Sequence, residues 1–324
     1  MGEKVMQKAG KIKSRLNSAI VGTFAMLLLI GVFGVMNSSF LKPGNIGNIL
    51  TDISPLLVMA CGVTFIIMIG STDLSIGAVC SLASVLFVRF APQFGPVIYP
   101  IVLLCGLLSG VIVGVLHAYF KVPSFIASLG MMSVLQSLAL VFSNSGTIQL
   151  NPKQWYLTDW MSVKLGMIPV VFVVSILLAL LYLFLQTGTE FGKRVYAIGA
   201  NERCAVMAGV PSLKVKIVIF GLAGICYALA GIMFVSKLAS GNPNVGDDFT
   251  LLAIAAVALG GTSLAGGRGS IVNTMIGVAI AMVIRNGMTV TGVDGFWQKI
   301  VFGSIIIIAA YMTADHSNKD QVIK

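Results

Sequence analysis

Long apolar runs separated by short polar breaks fill this chain from end to end. Ten runs stand out, at 20–36, 55–70, 74–88, 97–116, 125–142, 168–185, 215–235, 251–264, 271–284 and 296–312. A helix of about 20 apolar residues matches the roughly 30 Å hydrocarbon core of a bilayer. Lipid offers backbone groups no hydrogen-bond partner, so each run is expected to satisfy its own as a helix. One such run could be the core helix of a soluble domain, but a chain made almost wholly of them has lipid as its solvent. The pattern therefore predicts an all-α, polytopic membrane protein with about ten transmembrane helices. The runs 251–264 and 271–284 are short for straight spans, which points to broken helices.

Composition narrows this further. Of 324 residues, 57% are apolar and 10% charged. No hydrophilic stretch is long enough to bury a second core, so residues 1–324 read as a single transmembrane domain. The polar α/β segment of a nucleotide-hydrolysing module is missing, which leaves ion coupling or a partner chain as the energy source. The net charge of +10 sits in short loops rather than on a soluble basic face, so it reads as a topology signal and not as a nucleic-acid surface. With the N-terminus inside, Lys4, Lys8, Lys11, Lys13, Arg15, Lys121, Lys193, Arg194, Arg203, Lys214, Lys216, Arg268, Lys319 and Lys324 fall on the inner side. Only Lys42, Arg89, Lys153, Lys164, Lys237, Arg285 and Lys299 fall outside or near the outer face. This supports cytoplasmic tails at 1–19 and 315–324, a cytoplasmic loop at 187–214 and an even number of spans. The basic N-terminus and the run after it imitate a signal peptide, but Asn37-Ser38-Ser39-Phe40 lacks a small-residue cleavage pattern, so the run is expected to be a retained helix.

Little in the sequence suggests chemistry on the chain itself. Cys61, Cys80, Cys105, Cys204 and Cys226 lack paired spacing, and His117 and His316 are too far apart for a zinc motif. No metal, cofactor or catalytic group is expected. Gly188-Thr189-Glu190-Phe191-Gly192-Lys193-Arg194 imitates a phosphate loop. It fails, because three residues separate its glycines and Arg194 stands where Ser or Thr is needed. Asp247 and Asp248 follow Gly241-Asn242-Pro243-Asn244 and read as a solvated outer loop. Trp155, Tyr156 and Trp160, in the outer segment 143–166, suit either an interfacial anchor or a docking surface.

Three features carry more information. Gly106, Gly110 and Gly114 recur every four residues, a flat strip that lets another helix approach. Next, Ile69-Gly70-Ser71-Thr72-Asp73-Leu74-Ser75-Ile76-Gly77 is echoed 190 residues later by Leu259-Gly260-Gly261-Thr262-Ser263-Leu264-Ala265-Gly266-Gly267. The match pairs Gly70, Thr72, Leu74 and Gly77 with Gly260, Thr262, Leu264 and Gly267. Glycine-interrupted segments in two halves point to a transport path, which makes Ser71, Thr72, Asp73, Gly260, Gly261 and Thr262 the path or helix-break candidates. Asp73 is open to two readings: a functional intramembrane acid, or, with Thr72, a cap on a helix beginning at Leu74. Finally, the inner loop holds a short helix at 202–208, with Asn201 as N-cap, Glu202 in its first turn, Gly209 as stop and Pro211 beyond. It is too short to stand alone. It is expected either to dock on a cytoplasmic partner or to lie on lipid head groups.

These residues resemble a known family. Gly70-Ser71-Thr72-Asp73-Leu74-Ser75-Ile76-Gly77 is similar to the G-G-I-D-L-S-V-G signature of ribose-type ABC transporter permeases, with Ser71 and Thr72 where Gly and Ile are usual. The stretch from Phe191 to Asn201, the ending Ala205 to Gly209-Val210, and Leu259 to Gly269 resemble that family's inner loop, coupling-helix ending and glycine-rich stretch. The resemblance implies the membrane half of a binding-protein-dependent importer for a monosaccharide such as ribose, in a bacterial inner membrane. Its implied partners are a cytoplasmic ATP-binding subunit, an extracytoplasmic solute-binding protein, a second permease chain (identical or related) and membrane lipid. ATP hydrolysis would then lie on the partner, and Asn201, Glu202, Arg203, Ala205 and Gly209 would form the ATPase-coupling helix. Two rivals remain open from the sequence: an ion-coupled secondary transporter of a small polar solute, with Asp73 as coupling site, and a membrane scaffold without transport.

Overall fold

A computed structural model of the protein describes residues 22–313. The tails 1–19 and 315–324, with His316 and their basic residues, lie outside the described residues. Helix α1 is Gly22–Met36. It is followed by α2 (Pro43–Met68), α3 (Ile76–Phe94), α4 (Ile98–Ala118) and α5 (Ser124–Ser143). A loop with the single turn α6 (Asp159–Ser162) leads to α7 (Val170–Gly188). Two short polar helices come next, α8 (Glu190–Ala200) and α9 (Glu202–Met207). The chain then continues as α10 (Ser212–Leu238), α11 (Asp247–Leu259), α12 (Ile271–Val290) and α13 (Gly295–Thr313).

The protein is an all-α, polytopic membrane protein. Every apolar run of the sequence falls at least in part on a helix, but among the described residues six stretches are of crossing length and composition, against the ten runs. Two causes separate the numbers. First, α3 and α4 form one 43-residue stretch, interrupted only by a 3-10 turn at Gly95–Val97 where Gly95 takes φ +51° and reverses the chain. Secondly, α1 and α13 carry shorter apolar stretches, and α11 has only 13 residues.

At the centre stands α10, packed on α2, α3 and α4. The α4 glycine strip makes that approach possible. A Cβ at Gly106 would strike the Gly224 carbonyl, one at Gly110 the Phe220 carbonyl, and one at Gly114 would lie 2.9 Å from the Ile217 Cα. The strip is thus a packing surface. At one end of the bundle, two-residue strands β1 (Ile148–Gln149) and β4 (Ser240–Gly241) pair antiparallel, as do β2 (Lys164–Leu165) and β3 (Ile168–Pro169). Trp160 is pinned there by Nε1 donating to the Leu157 carbonyl at 2.9 Å and to the Tyr99 hydroxyl at 3.1 Å.

After β4 the chain turns back along α3. The Asn242 amide donates to Ser84 Oγ (3.3 Å) and the Gly246 amide to Ser81 Oγ (2.9 Å). This brings Gly246 backbone to backbone with Gly77, where neither residue has room for a Cβ. The N-termini of α3 and α11 therefore meet inside the bundle. Two sequence expectations are corrected here. Asp247 and Asp248 are not free loop residues: they form the first turn of α11, where carboxylates favour the positive end of the helix dipole. Moreover, α3 begins at Ile76 rather than Leu74, because residues 71–75 form no helix and the Thr72 and Leu74 amides bond to α5 instead.

Candidate functional site: the paired helix breaks and the inner-loop helices

Both copies of the sequence echo are helix ends of the same kind. At the end of α2, the Gly70 amide donates to the Ile67 carbonyl (2.9 Å) and the Ser71 amide to the Ile66 carbonyl (3.1 Å). At the end of α11, the Gly261 amide donates to Ala258 (2.8 Å) and the Thr262 amide to Val257 (3.3 Å). Gly70 has φ +74° and Gly261 φ +79°. This left-handed glycine with its pair of back-directed amides is a Schellman ending. The structural equivalent of Gly70 is therefore Gly261, one residue beyond the Gly260 that the letter match pairs with it. Gly260 instead packs its Cα on the Asn273 and Thr274 backbone of α12.

The two breaks touch. The Gly267 amide donates to the Met68 carbonyl at 2.9 Å, and a Cβ at Gly266 would fall 2.7 Å from the Gly70 nitrogen. Around the first break, Ser71 Oγ lies 3.0 Å from His117 Nε2. The Thr72 amide donates to Ser124 Oγ (3.0 Å) and the Leu74 amide to Ser128 Oγ (3.0 Å). Asp73 Oδ1 accepts from the Ser75 amide (2.8 Å) and the Ser75 hydroxyl (2.6 Å). The non-helical segment is thus satisfied by the serines of α5 and by its own aspartate, as a broken helix in lipid requires. Ser71, Asp73 and Thr262 are buried, whereas Thr72 is exposed.

The inner loop holds two helices where the sequence suggested one. Helix α8 is amphipathic and buries Gly192, Val195 and Ile198; its end fits against both breaks, with Gly199 over the Met68 carbonyl and the Gly267 backbone. Tyr196 Oη donates to the Gly269 carbonyl at 2.7 Å. Gln186, buried at the end of α7, donates to that carbonyl at 3.3 Å and accepts from the Ile271 amide at 3.0 Å. A clasp of Gln186 and Tyr196 therefore joins α7, α8 and the second break. The sequence reading missed both residues, and also His117. Their only sequence signal was a polar group within or beside an apolar run.

Helix α9 has the caps that its letters predict. Asn201 Oδ1 accepts from the Cys204 amide at 3.1 Å. Gly209, at φ +84°, ends the helix, and the Val210 amide donates to the Ala205 carbonyl at 3.0 Å. Glu202 Oε1 accepts from Ser212 Oγ (2.5 Å) and Oε2 from Lys216 Nζ (2.7 Å), which fixes α9 to the start of α10. Partial burial alone would raise the Glu202 carboxyl. The Lys216 and Ser212 hydrogen bonds and the Lys216 charge outweigh that and hold it below the usual carboxylate range. Ala205 is buried, while Arg203, Val206 and Met207 are exposed, Met207 at 81%. The six-residue helix is thus anchored on its inner side, with Val206 and Met207 bare on its outer side.

A family model described as "Branched-chain amino acid transport system / permease component" matches residues 45–310, taking in both breaks, the clasp and α9. The ribose import permease protein RbsC of Bacillus subtilis is 39% identical over 311 residues, covering 95% of this chain and 93% of that protein. The chain belongs to the ribose-type ABC transporter permeases. Further relatives are the probable ABC transporter permease YphD of Escherichia coli (35% identical; 87% of this chain, 85% of that protein) and the galactose/methyl galactoside import permease MglC of Haemophilus influenzae (32%; 88% and 91%). No solved structure matches. The family supplies the membrane subunit of importers and is not itself catalytic. Among the described residues, no group of three or more His, Cys, Asp or Glu is placed to hold a metal, and the five cysteines are free thiols.

Proposed function

We propose that this chain is the membrane-spanning subunit of a bacterial inner-membrane importer for a monosaccharide such as ribose. A solute-binding protein feeds it, a separate cytoplasmic ATP-binding subunit drives it, and a second permease chain completes the path. Both termini and the 187–214 loop face the cytoplasm. The observation that carries this reading is α9 and its connections. Its outer side is bare, its inner side is tied to α10 through Glu202, and its neighbour α8 rests on both helix breaks through Gly199 and Tyr196. A push on α9 and α8 by the ATPase thus has a short, stiff route to the breaks that end α2 and α11. Such an arrangement suits alternating access by movement of rigid helix groups about broken segments. The sugar reading rests on the names of the relatives, which are ribose and galactose permeases.

The ion-coupled reading loses ground on Asp73. Its carboxylate is buried at the break and takes two hydrogen bonds from Ser75, so it is spent on a local turn just ahead of α3 rather than held as an open ion site. The decisive experiment replaces 202–208 with a Gly/Ser linker. Loss of both ATPase-subunit copurification and ribose uptake, at unchanged chain abundance in the membrane, is expected. Unchanged assembly and uptake would overturn the proposal.

A further inference from the structure

Helix α5 carries a polar stripe of which part stays exposed. Ser133, Gln136 and Ser137 lie one turn apart on one side, and both serines are exposed. They sit about 14–20 Å along a 20-residue helix, halfway across a hydrocarbon core of roughly 30 Å. The exposed positions in the middle of α7 are Leu177, Leu180, Leu181 and Phe184, the surface that lipid selects. The Ser133 and Ser137 oxygens and the Gln136 amide oxygen give this part of α5 a polarity that the lipid-facing surface of α7 lacks.

The stripe faces a recess of about 550 Å³, whose opposite wall is the N-terminal turn of α11, with Asp247 and Thr250. That volume lies within the roughly 300–1,000 Å³ of small-molecule sites. The recess opens where the α3 and α11 N-termini meet, since Thr250 Oγ1 accepts from the Gly77 amide at 3.0 Å. Its polar groups are mostly acceptors. Ser133 and Ser137 spend their protons on the Leu129 and Ser133 carbonyls (3.2 and 2.8 Å), so their oxygens remain as acceptors. Gln136 Nε2 donates to the Pro243 carbonyl (2.9 Å) and Asn244 Oδ1 (2.8 Å), which leaves its carbonyl as an acceptor. Asp247 adds a carboxylate, and no Lys or Arg lines the recess. A wall made mostly of acceptors, with the Thr250 hydroxyl keeping its own proton to give and Leu74, Ala78, Met132 and Leu251 beside it, fits the hydroxyl edge and carbon face of a neutral polyol.

We propose that this recess is where the permease itself contacts its solute, with the α5 stripe and Asp247 as the discriminating residues for a neutral polyhydroxyl molecule. The assignment rests on the importer reading above and adds a solute-contact surface at mid-depth, away from the 71–73 and 260–262 breaks. It is tested in the full chain with Cys105 and Cys204 replaced by Ser, the remaining cysteines being buried. Ser133→Cys and Ser137→Cys should react with a charged, water-soluble thiol reagent at least tenfold faster than Leu181→Cys. Cysteines at 133 and 137 as inert as the one at 181 would overturn the recess, whatever the substrate. In cells expressing the whole importer, Ser137→Trp should cut radiolabelled ribose uptake at least tenfold at equal membrane abundance, with Leu181→Trp within twofold. A Ser137→Trp chain that transports within twofold would also overturn it. Reactive cysteines in a wild-type importer that moves no ribose would sink the sugar reading, and with it the polyol assignment, while keeping the water-lined recess.

Discussion

Gly199 is the point where the account is most sharply exposed, because α8 there rests on backbone alone. A methyl group at 199 would press on the Met68 carbonyl oxygen and lie 2.8 Å from the Gly267 nitrogen and 3.1 Å from its Cα. Met68 and Gly267 are themselves hydrogen-bonded, so no side-chain rotation can relieve the clash. Overpacking of this kind costs about 1–3 kcal/mol, and an unmade buried hydrogen bond costs roughly 1–3 kcal/mol more. Together they span about 2–6 kcal/mol, and even about 3 kcal/mol is at least a hundredfold in the equilibrium between docked and undocked α8. Gly199→Ala should therefore lower the thermal midpoint of the purified full chain and cut ribose uptake more than tenfold. Gly130→Ala is the control: a Cβ there meets nothing within 4 Å, and Ala in an exposed helical position is neutral or stabilising by roughly 0.5–1 kcal/mol. If Gly199→Ala melts and transports like Gly130→Ala, the packing of α8 on the breaks is not what transmits motion.

Two further outcomes follow from the clasp and the handle. Gln186→Leu strips the Ile271 amide of its acceptor in a buried setting and should cost about 1–3 kcal/mol; faster amide exchange at 269–271, with 124–128 unchanged, is the readout. Glu202→Gln should weaken the α9–α10 tie in a pH-dependent way. The folded carboxyl is held below its ordinary value, so its contribution is whole above the unfolded value near 4.3 and fades as pH falls through the depressed folded value. The gap between wild type and variant in exchange at 202–207 should persist from pH 7 to about 5 and close in stronger acid. A gap that widens in acid would contradict the ion pair.

Much of this was legible because lipid leaves a sequence few choices. The apolar runs fixed helix positions, and the Asn201, Glu202 and Gly209 letters marked α9 to within a residue, since caps act locally. The α4 glycines announced a close helix approach, though not that α10 would take it. Features depending on distant residues were hidden. Helix α8 passed unnoticed because Gly192 and Gly199 look like breakers, and only the Gln186 and Met68 carbonyls they approach explain why glycine is needed. The echo showed that two breaks existed, but its register came from hydrogen bonds, which align Gly70 with Gly261. Asp247 and Asp248 looked like loop residues until the return of 242–246 along α3 carried them inward to begin α11. The α5 stripe is visible in the letters, yet its meaning needs the facing wall of α11.

The central claim is that this chain supplies a conduit and a handle while a separate ATPase supplies the power. Vesicles reconstituted with the permease, its ATP-binding subunit and its solute-binding protein, with ion gradients collapsed, put that to a direct test. Ribose accumulation that requires ATP and disappears when the ATP-binding subunit is omitted is the predicted result. Accumulation by the permease alone, or uptake that follows an imposed ion gradient without ATP, would contradict it.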